Sequence, residues 1–212
     1  MNFQPLVEEI EKLKNSDIKQ IIDSRMKEFE ELGLKDSNEI FKELCFCLLT
    51  ANFSAYGGMR IQENIGGGFL HFSEEELAKK LSELGHRFPN ARADYIVSAR
   101  KFKDNIKKII LEIGDELKMR EWIVQNIKGI GFKESSHFLR NIGYKNLAII
   151  DFHIIDLLAK YSLIEKPKSN SLTKKKYAEI EDVLRKISRI SNLNLGELDL
   201  YLWYKETGKI LK

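Results

Sequence analysis

Apolar residues recur along almost the whole chain at spacings of three and four, the period of a helix with one buried face. Leu6, Ile10 and Leu13 share one face of a short first helix. Ile18, Ile21, Ile22, Met26 and Phe29 do the same for a second, which Gly33 is placed to end. A third is expected from about Asn38 to Ala51, burying Ile40, Phe41, Leu44, Leu48 and Leu49. Ser73 and Glu76 spell a capping box ahead of Leu77, Leu81 and Leu84, Gly85 follows as a stop, and Pro89 suits a first helical turn. Further helices are expected around 90–102, 105–126, 133–142, 151–161, 173–189 and 195–207, the last with Asn194 as cap and Glu197 as its reciprocal partner. No segment alternates like a strand between hairpin turns, and only three prolines interrupt the pattern. The expected fold is therefore all-α, in two helical lobes. A loose stretch, 166–176, is rich in Lys, Ser and Asn and separates the last two helices from what precedes them.

With 43% hydrophobic residues, 212 residues can bury the core of one domain or two small lobes. The net charge of +3 permits a nucleic-acid partner without demanding one. Cys45 and Cys47 fall on an apolar helical stretch, two residues apart and facing different ways, so they read as buried thiols of a reducing compartment. Charges interrupt the N-terminus, and no run of 18 apolar residues exists, so no signal peptide and no membrane span are expected.

The most informative segment runs from Asn126 to Arg140. A helix ends, Gly129-Ile130-Gly131 turns tightly, and a second helix begins. Glycines allow a sharp turn and a close approach to a ligand, and the amides at the new helix start form a seat for phosphate. Ile127 and Ile130 would anchor the turn in the core. This is the helix-hairpin-helix pattern, which grips a DNA backbone without reading its sequence. Taken alone, Gly-x-Gly is also an ordinary turn between two helices.

Lys133 follows two residues after Gly131, and Asp151 comes 18 residues later at the end of an apolar run, Ala148-Ile149-Ile150. The intervening 141–145 segment can turn the chain back so that the carboxylate faces the amine. A helix-start lysine is ordinarily a solvated charge, and Asp151 alone reads as a helix cap. Around a DNA-gripping hairpin, the two together are what excision of a base by amine attack requires. The amine must be neutral to attack the sugar C1′, which a desolvated site favours, and a nearby anion steadies the cationic sugar as the base leaves.

With these motifs the chain resembles the helix-hairpin-helix superfamily of DNA glycosylases, in particular the type 2 8-oxoguanine DNA glycosylase/AP lyases found mostly in archaea. The resemblance runs over nearly the whole chain. Its carriers are 48–55, Gly85-His86-Arg87-Phe88, 128–141, 148–153 and 198–204. The iron–sulfur cysteines of the endonuclease III branch are missing. The resemblance implies that Lys133 is the Schiff-base nucleophile and Asp151 the catalytic aspartate. It further implies that Phe88 and Trp203 sandwich the flipped purine, whose lost stacking needs two flat faces. Trp203 also reads as part of an amphipathic face with Leu195, Leu198 and Leu202. Lys212 resembles the terminal element that tells 8-oxoguanine, with N7–H and O8, from guanine. Asn52 resembles the wedge that fills the vacated stack, and Arg87, next to Phe88, could reach a phosphate or the unpaired base.

His137 and His153 read as structural, or as supports just behind the reacting groups, rather than as zinc ligands, so no metal is expected, and no cofactor apart from room for a monovalent cation at the hairpin. The expected partner is double-stranded DNA carrying oxidised guanine, met by a monomer in a prokaryotic cytoplasm. The expected organisation is one unit, with roughly 34–126 as one lobe, 127–165 as the hairpin and catalytic segment, and 1–33 packed with 166–212 as the second lobe. Two alternatives stay open: a related glycosylase/lyase for oxidised pyrimidines or alkylated bases, and a module that only binds DNA.

Overall fold

A computed structural model of the chain describes residues 1–169 and 172–212. Among them are thirteen α-helices and no strand. In chain order they are α1 (Gln4–Lys14), α2 (Ile18–Leu34), α3 (Ser37–Thr50), α4 (Ala55–Ile65), α5 (Gly68–His71), α6 (Glu74–Glu83), α7 (Pro89–Ala99), α8 (Ile106–Ile113), α9 (Glu116–Asn126), α10 (Phe132–Asn141), α11 (Phe152–Lys160), α12 (Lys174–Ile190) and α13 (Leu195–Thr207). No helix is long and apolar enough to cross a membrane among the described residues.

Both capping boxes form. The Ser73 amide donates to Glu76 Oε2 at 2.8 Å and the Glu76 amide to Ser73 Oγ at 3.2 Å, and Asn194 and Glu197 exchange the same two bonds at 2.9 Å. Other boundaries differ from the periodicity for local reasons. The stretch 105–126 is two helices, because Gly114 turns left-handed (φ +70°) and Asp115 caps α9 by accepting from the Lys118 amide. α7 stops at Ala99, and a 3₁₀ turn, Arg100–Phe102, takes over. α4 and α5 leave no clear helical period in the sequence, since Gly57, Gly58 and the Gly66–Gly68 run mask it. α2 runs one residue past Gly33, which is needed for a different purpose: a Cβ there would lie 2.2 Å from the Ile142 carbonyl oxygen. Gly33 is thus a point of close approach between chain segments. The loose stretch ends earlier than expected, since Thr173 caps α12. Asn170 and Ser171 of that stretch lie outside the described residues.

Two apolar clusters form the cores. The larger gathers α3 to α9 with Phe138 and Leu139 of α10, and Cys45 and Cys47 lie fully buried in it. The second gathers α1 and α2 with α11, α12 and α13. α10 spans both, because Phe132 at its start packs against the second cluster while Phe138 and Leu139 enter the first.

Candidate active site

The hairpin joins α9 to α10. Ile127 and Ile130 are buried beneath it. Gly129 has φ +82°, and a Cβ on it would sit 2.1 Å from the Tyr95 ring of α7. Lys128 pairs with Asp94 at 2.8 Å, so α7 braces the turn from outside. Gly131 is the N-cap of α10 with ordinary extended backbone (φ −107°), and its amide donates to Glu134 Oε2 at 3.3 Å. Ser135 Oγ donates to the Gly131 carbonyl at 2.7 Å. The first amides of α10 have no partners within the helix and carry its positive dipole end, which suits an anion.

Lys133 is the second residue of α10, half-buried, 3.9 Å from Glu134 Oε1. Asp151 caps α11, one oxygen accepting from the Ile154 amide at 3.0 Å. Both act on a third group, Asp199 of α13. Burial pushes the Asp199 carboxyl up to about 6; the Arg140 guanidinium opposes that, Asp151 adds to it, and Lys133 opposes it again. Arg140 donates directly to Asp199 and, from Nε and Nη2, to Asn141 Oδ1 at 3.1 and 2.9 Å. His137, one turn after Lys133 on the same face of α10, is held well below the ordinary imidazole range by burial and by Arg140 and Lys133. Two acids, one amine and one guanidinium therefore share one partly dry region where α10, α11 and α13 meet.

The aromatic candidates stand on different lobes. Phe88, 39% exposed, begins α7, with the Arg87 guanidinium 5.0 Å from its ring. Its amide donates to Nδ1 of His86, while the His86 Nε2 lies 3.0 Å from the Leu49 carbonyl oxygen. Those bonds define a neutral ring with its proton on Nε2. Trp203 of α13 meets His153 edge-on at 4.9 Å, and its indole N–H is buried without a partner. His153 stacks at 3.9 Å on Phe152, which is 63% exposed. Asn52 is exposed with φ +59° in the turn between α3 and α4, and Arg92 steadies that turn by donating to the Ala51 carbonyl at 2.6 Å. Lys212 folds back onto the first lobe. Its ammonium pairs with Glu43 at 2.8 Å, also bonds Gln62, and sits 4.4 Å over the Phe46 ring.

A family model described as 8-oxoguanine DNA glycosylase matches residues 22–193. This chain belongs to that family. It is 56% identical over 212 residues to the 8-oxoguanine DNA glycosylase/AP lyase of Korarchaeum cryptofilum, with all of both chains covered. It superposes with a TM-score of 0.94 and 56% identity on the crystal structure of the Methanocaldococcus jannaschii 8-oxoguanine glycosylase/lyase in complex with a 15mer DNA containing 8-oxoguanine, covering 98% of this chain and 99% of that one. The 8-oxoguanine DNA glycosylase of Thermotoga maritima matches at a TM-score of 0.93 and 44% identity over both whole chains.

For a glycosylase of this family the structure adds groups that no local sequence pattern marks plainly. Asp199 and Arg140 look like ordinary surface charges in a one-dimensional pattern. Only a helix position facing Leu195, Leu198 and Leu202 hints that Asp199 turns inward. His86 fixes the backbone of Phe88, and its signal was its place between Gly85 and Arg87. Glu43 stands in an otherwise apolar run, Leu44 to Leu49 following it, where a carboxylate requires a partner.

Proposed function

We propose that this protein is a base-excision DNA glycosylase with AP lyase activity that releases 8-oxoguanine, with Lys133 as nucleophile. The observation that carries the assignment is the placement of Lys133 in the first turn after the hairpin, where it and Asp151 act on the same buried carboxylate, Asp199. The substrate reading draws on the relatives' names and on the lesion-bearing DNA of the Methanocaldococcus jannaschii complex.

The hairpin amides hold a backbone phosphate and set the register of the duplex without reading bases. The damaged nucleotide leaves the stack and is received between Phe88 and Trp203. Asn52 fills the gap it leaves, and Arg87 steadies the opened duplex. The neutral amine of Lys133 attacks C1′ as the C1′–N9 bond breaks, and the departing base takes up a proton. The Asp151 carboxylate steadies the positive sugar and accepts the proton that the amine sheds. The C1′–O4′ bond of the resulting aminal then opens, O4′ taking up a proton, and the protonated Schiff base so formed acidifies the C2′ hydrogen. Its loss expels the 3′ phosphate by β-elimination, and water then frees the lysine. No step of this reaction calls for a cofactor, and a monovalent cation at the hairpin would serve the phosphate contact alone. The enzyme works as a monomer on double-stranded DNA in the cytoplasm.

Lys133→Gln should abolish release of 8-oxoguanine and borohydride trapping on DNA while leaving duplex binding largely intact, because phosphate contacts come from the hairpin backbone. A panel of lesion duplexes should show 8-oxoguanine released ahead of oxidised pyrimidines and alkylated bases. Substantial trapping by the variant would remove Lys133 from the role, and no trapping by the wild type would leave a DNA-binding module.

A further inference from the structure

Glu43 is 2% exposed, in the middle of an apolar helix. Its carboxylate accepts from Asn141 Nδ2 at 2.6 Å, from Gln62 Nε2 at 3.0 Å and from Lys212 Nζ at 2.8 Å. Among the described residues, Lys212 is the one cation at ion-pair distance from it. A buried carboxylate is tolerated when it is paired and fully hydrogen-bonded. The last residue of the chain therefore neutralises a charge that α3 would otherwise bury alone. The same ammonium bonds Gln62 and lies over the Phe46 ring, so three side chains of α3 and α4 fix it. Beyond these polar supports, Ile210 packs half-buried against the second cluster, and Leu211 is half-buried as well.

Where this holds the tail matters. The His137 ring reaches the Lys212 backbone, and the Cys47 thiol feels the charges of Glu43, Lys212, Lys133 and Arg140 together. The His137 ring that meets the Lys212 backbone thus stands about one turn of α10, roughly 5 Å of axis, from the nucleophile. A base bonded to the C1′ that Lys133 attacks would lie along that turn, between Lys133 and the tail. We infer that Glu43 is a specificity-determining positioning residue: it clamps Lys212 as a wall of the pocket that receives the excised base. This rests on the function proposed above. Glu43 does not touch the base; it acts through Lys212. On its other side Asn141 ties it to Arg140 and Asp199, so the polar path runs on to the acids of the site.

The test compares wild type, Glu43→Gln, a chain lacking Lys212, and the combination. Each is assayed in single turnover on an 8-oxoguanine duplex and on a duplex with a preformed abasic site, which has no base to receive. Glu43→Gln should slow 8-oxoguanine excision by about tenfold or more and cleave the abasic site within about twofold of wild type. Removal of Lys212 should do the same, and the double change should be no worse than that removal alone, because the two act as one unit. An unchanged excision rate, an equal loss on both substrates, or additive losses would each overturn the clamp. If Glu43→Gln does not fold, Gln62→Met decides, since it removes one support of Lys212. A selective but smaller loss on 8-oxoguanine supports the clamp, and no loss overturns it. Should the wild type itself release no 8-oxoguanine, the substrate reading fails rather than the clamp.

Discussion

At Asp151 a helix cap and a charged group of the site are one and the same carboxylate. One oxygen accepts the Ile154 amide, and the negative charge bears on Asp199. The two acids differ sharply in surroundings. Asp199 sits against Leu195, Leu198 and Leu202 beside a cavity of about 10 Å³, room for roughly one water, whereas Asp151 stands at a helix start among amides. Environments that separate two neighbouring acids are a mark of divided labour. Asp151→Asn should keep the fold, because Asn caps helices as well as Asp. Base release should fall by roughly 10²–10⁴, the range for a positioned acid–base group. Single-turnover excision alongside thermal melting checks this, and a near-normal rate would leave Asp151 a cap and nothing more. The sequence spacing from Lys133 to Asp151 was legible because both lie in distinctive local motifs. Asp199 was not, since nothing within a helical turn of it signals Arg140, 59 residues away.

Within the hairpin the two glycines do different things, although the sequence writes them symmetrically. Gly129 is demanded by the fold: its φ of +82° is costly for any L side chain, and a methyl would strike the Tyr95 ring. Gly131 has ordinary backbone, and the nearest atom to a Cβ there is Glu134 Oε2 at 3.3 Å, the end of a flexible side chain. Gly129→Ala should therefore destabilise by about 3 kcal/mol, lowering the melting temperature by roughly 10 °C. Gly131→Ala should melt within a degree or two of wild type yet lose about tenfold in duplex affinity, as the methyl displaces a phosphate from the helix start. Melting curves and binding isotherms for both variants separate the two roles. Equal stability losses would mean that both glycines serve the turn alone.

Over the whole molecule, stability should depend on pH through buried groups whose protonation differs between folded and unfolded chains. Burial keeps the imidazoles of His86 and His137 below 6.5, the value for a free ring. Below that pH the unfolded chain binds protons that the folded one refuses, so stability falls as pH drops, by up to about 1.4 kcal/mol per pH unit for each ring. Asp199 acts in the opposite sense. Raised to about 6 from 3.8, it takes up its proton in the folded state first and restores some stability between those values. One ring remains uncompensated, so the urea midpoint should fall steadily from pH 7 to 5, and His137→Gln should flatten that slope. A midpoint constant over the range would mean that these rings are not held neutral.

Periodicity, caps and the hairpin determined much by themselves. They are local: a helix face, a capping box and a Gly-x-Gly turn are written within a few residues, and so is the Lys133 motif. Helix class, most boundaries and the hairpin's place could be read because short-range hydrogen bonds and one-sided burial set them. Glycine-rich α4 and α5, the break at Gly114 and the contact role of Gly33 could not, since the same residue type ends a helix, breaks it or admits a neighbour according to what packs there. The tertiary structure decided which charges meet. It alone brings Glu43, Asn141 and Lys212 together across 169 residues of chain, and Arg140 to Asp199 beside Lys133. Buried charges choose partners by proximity in the folded core, where an unpaired one is expensive, and that proximity leaves no periodic trace in the chain.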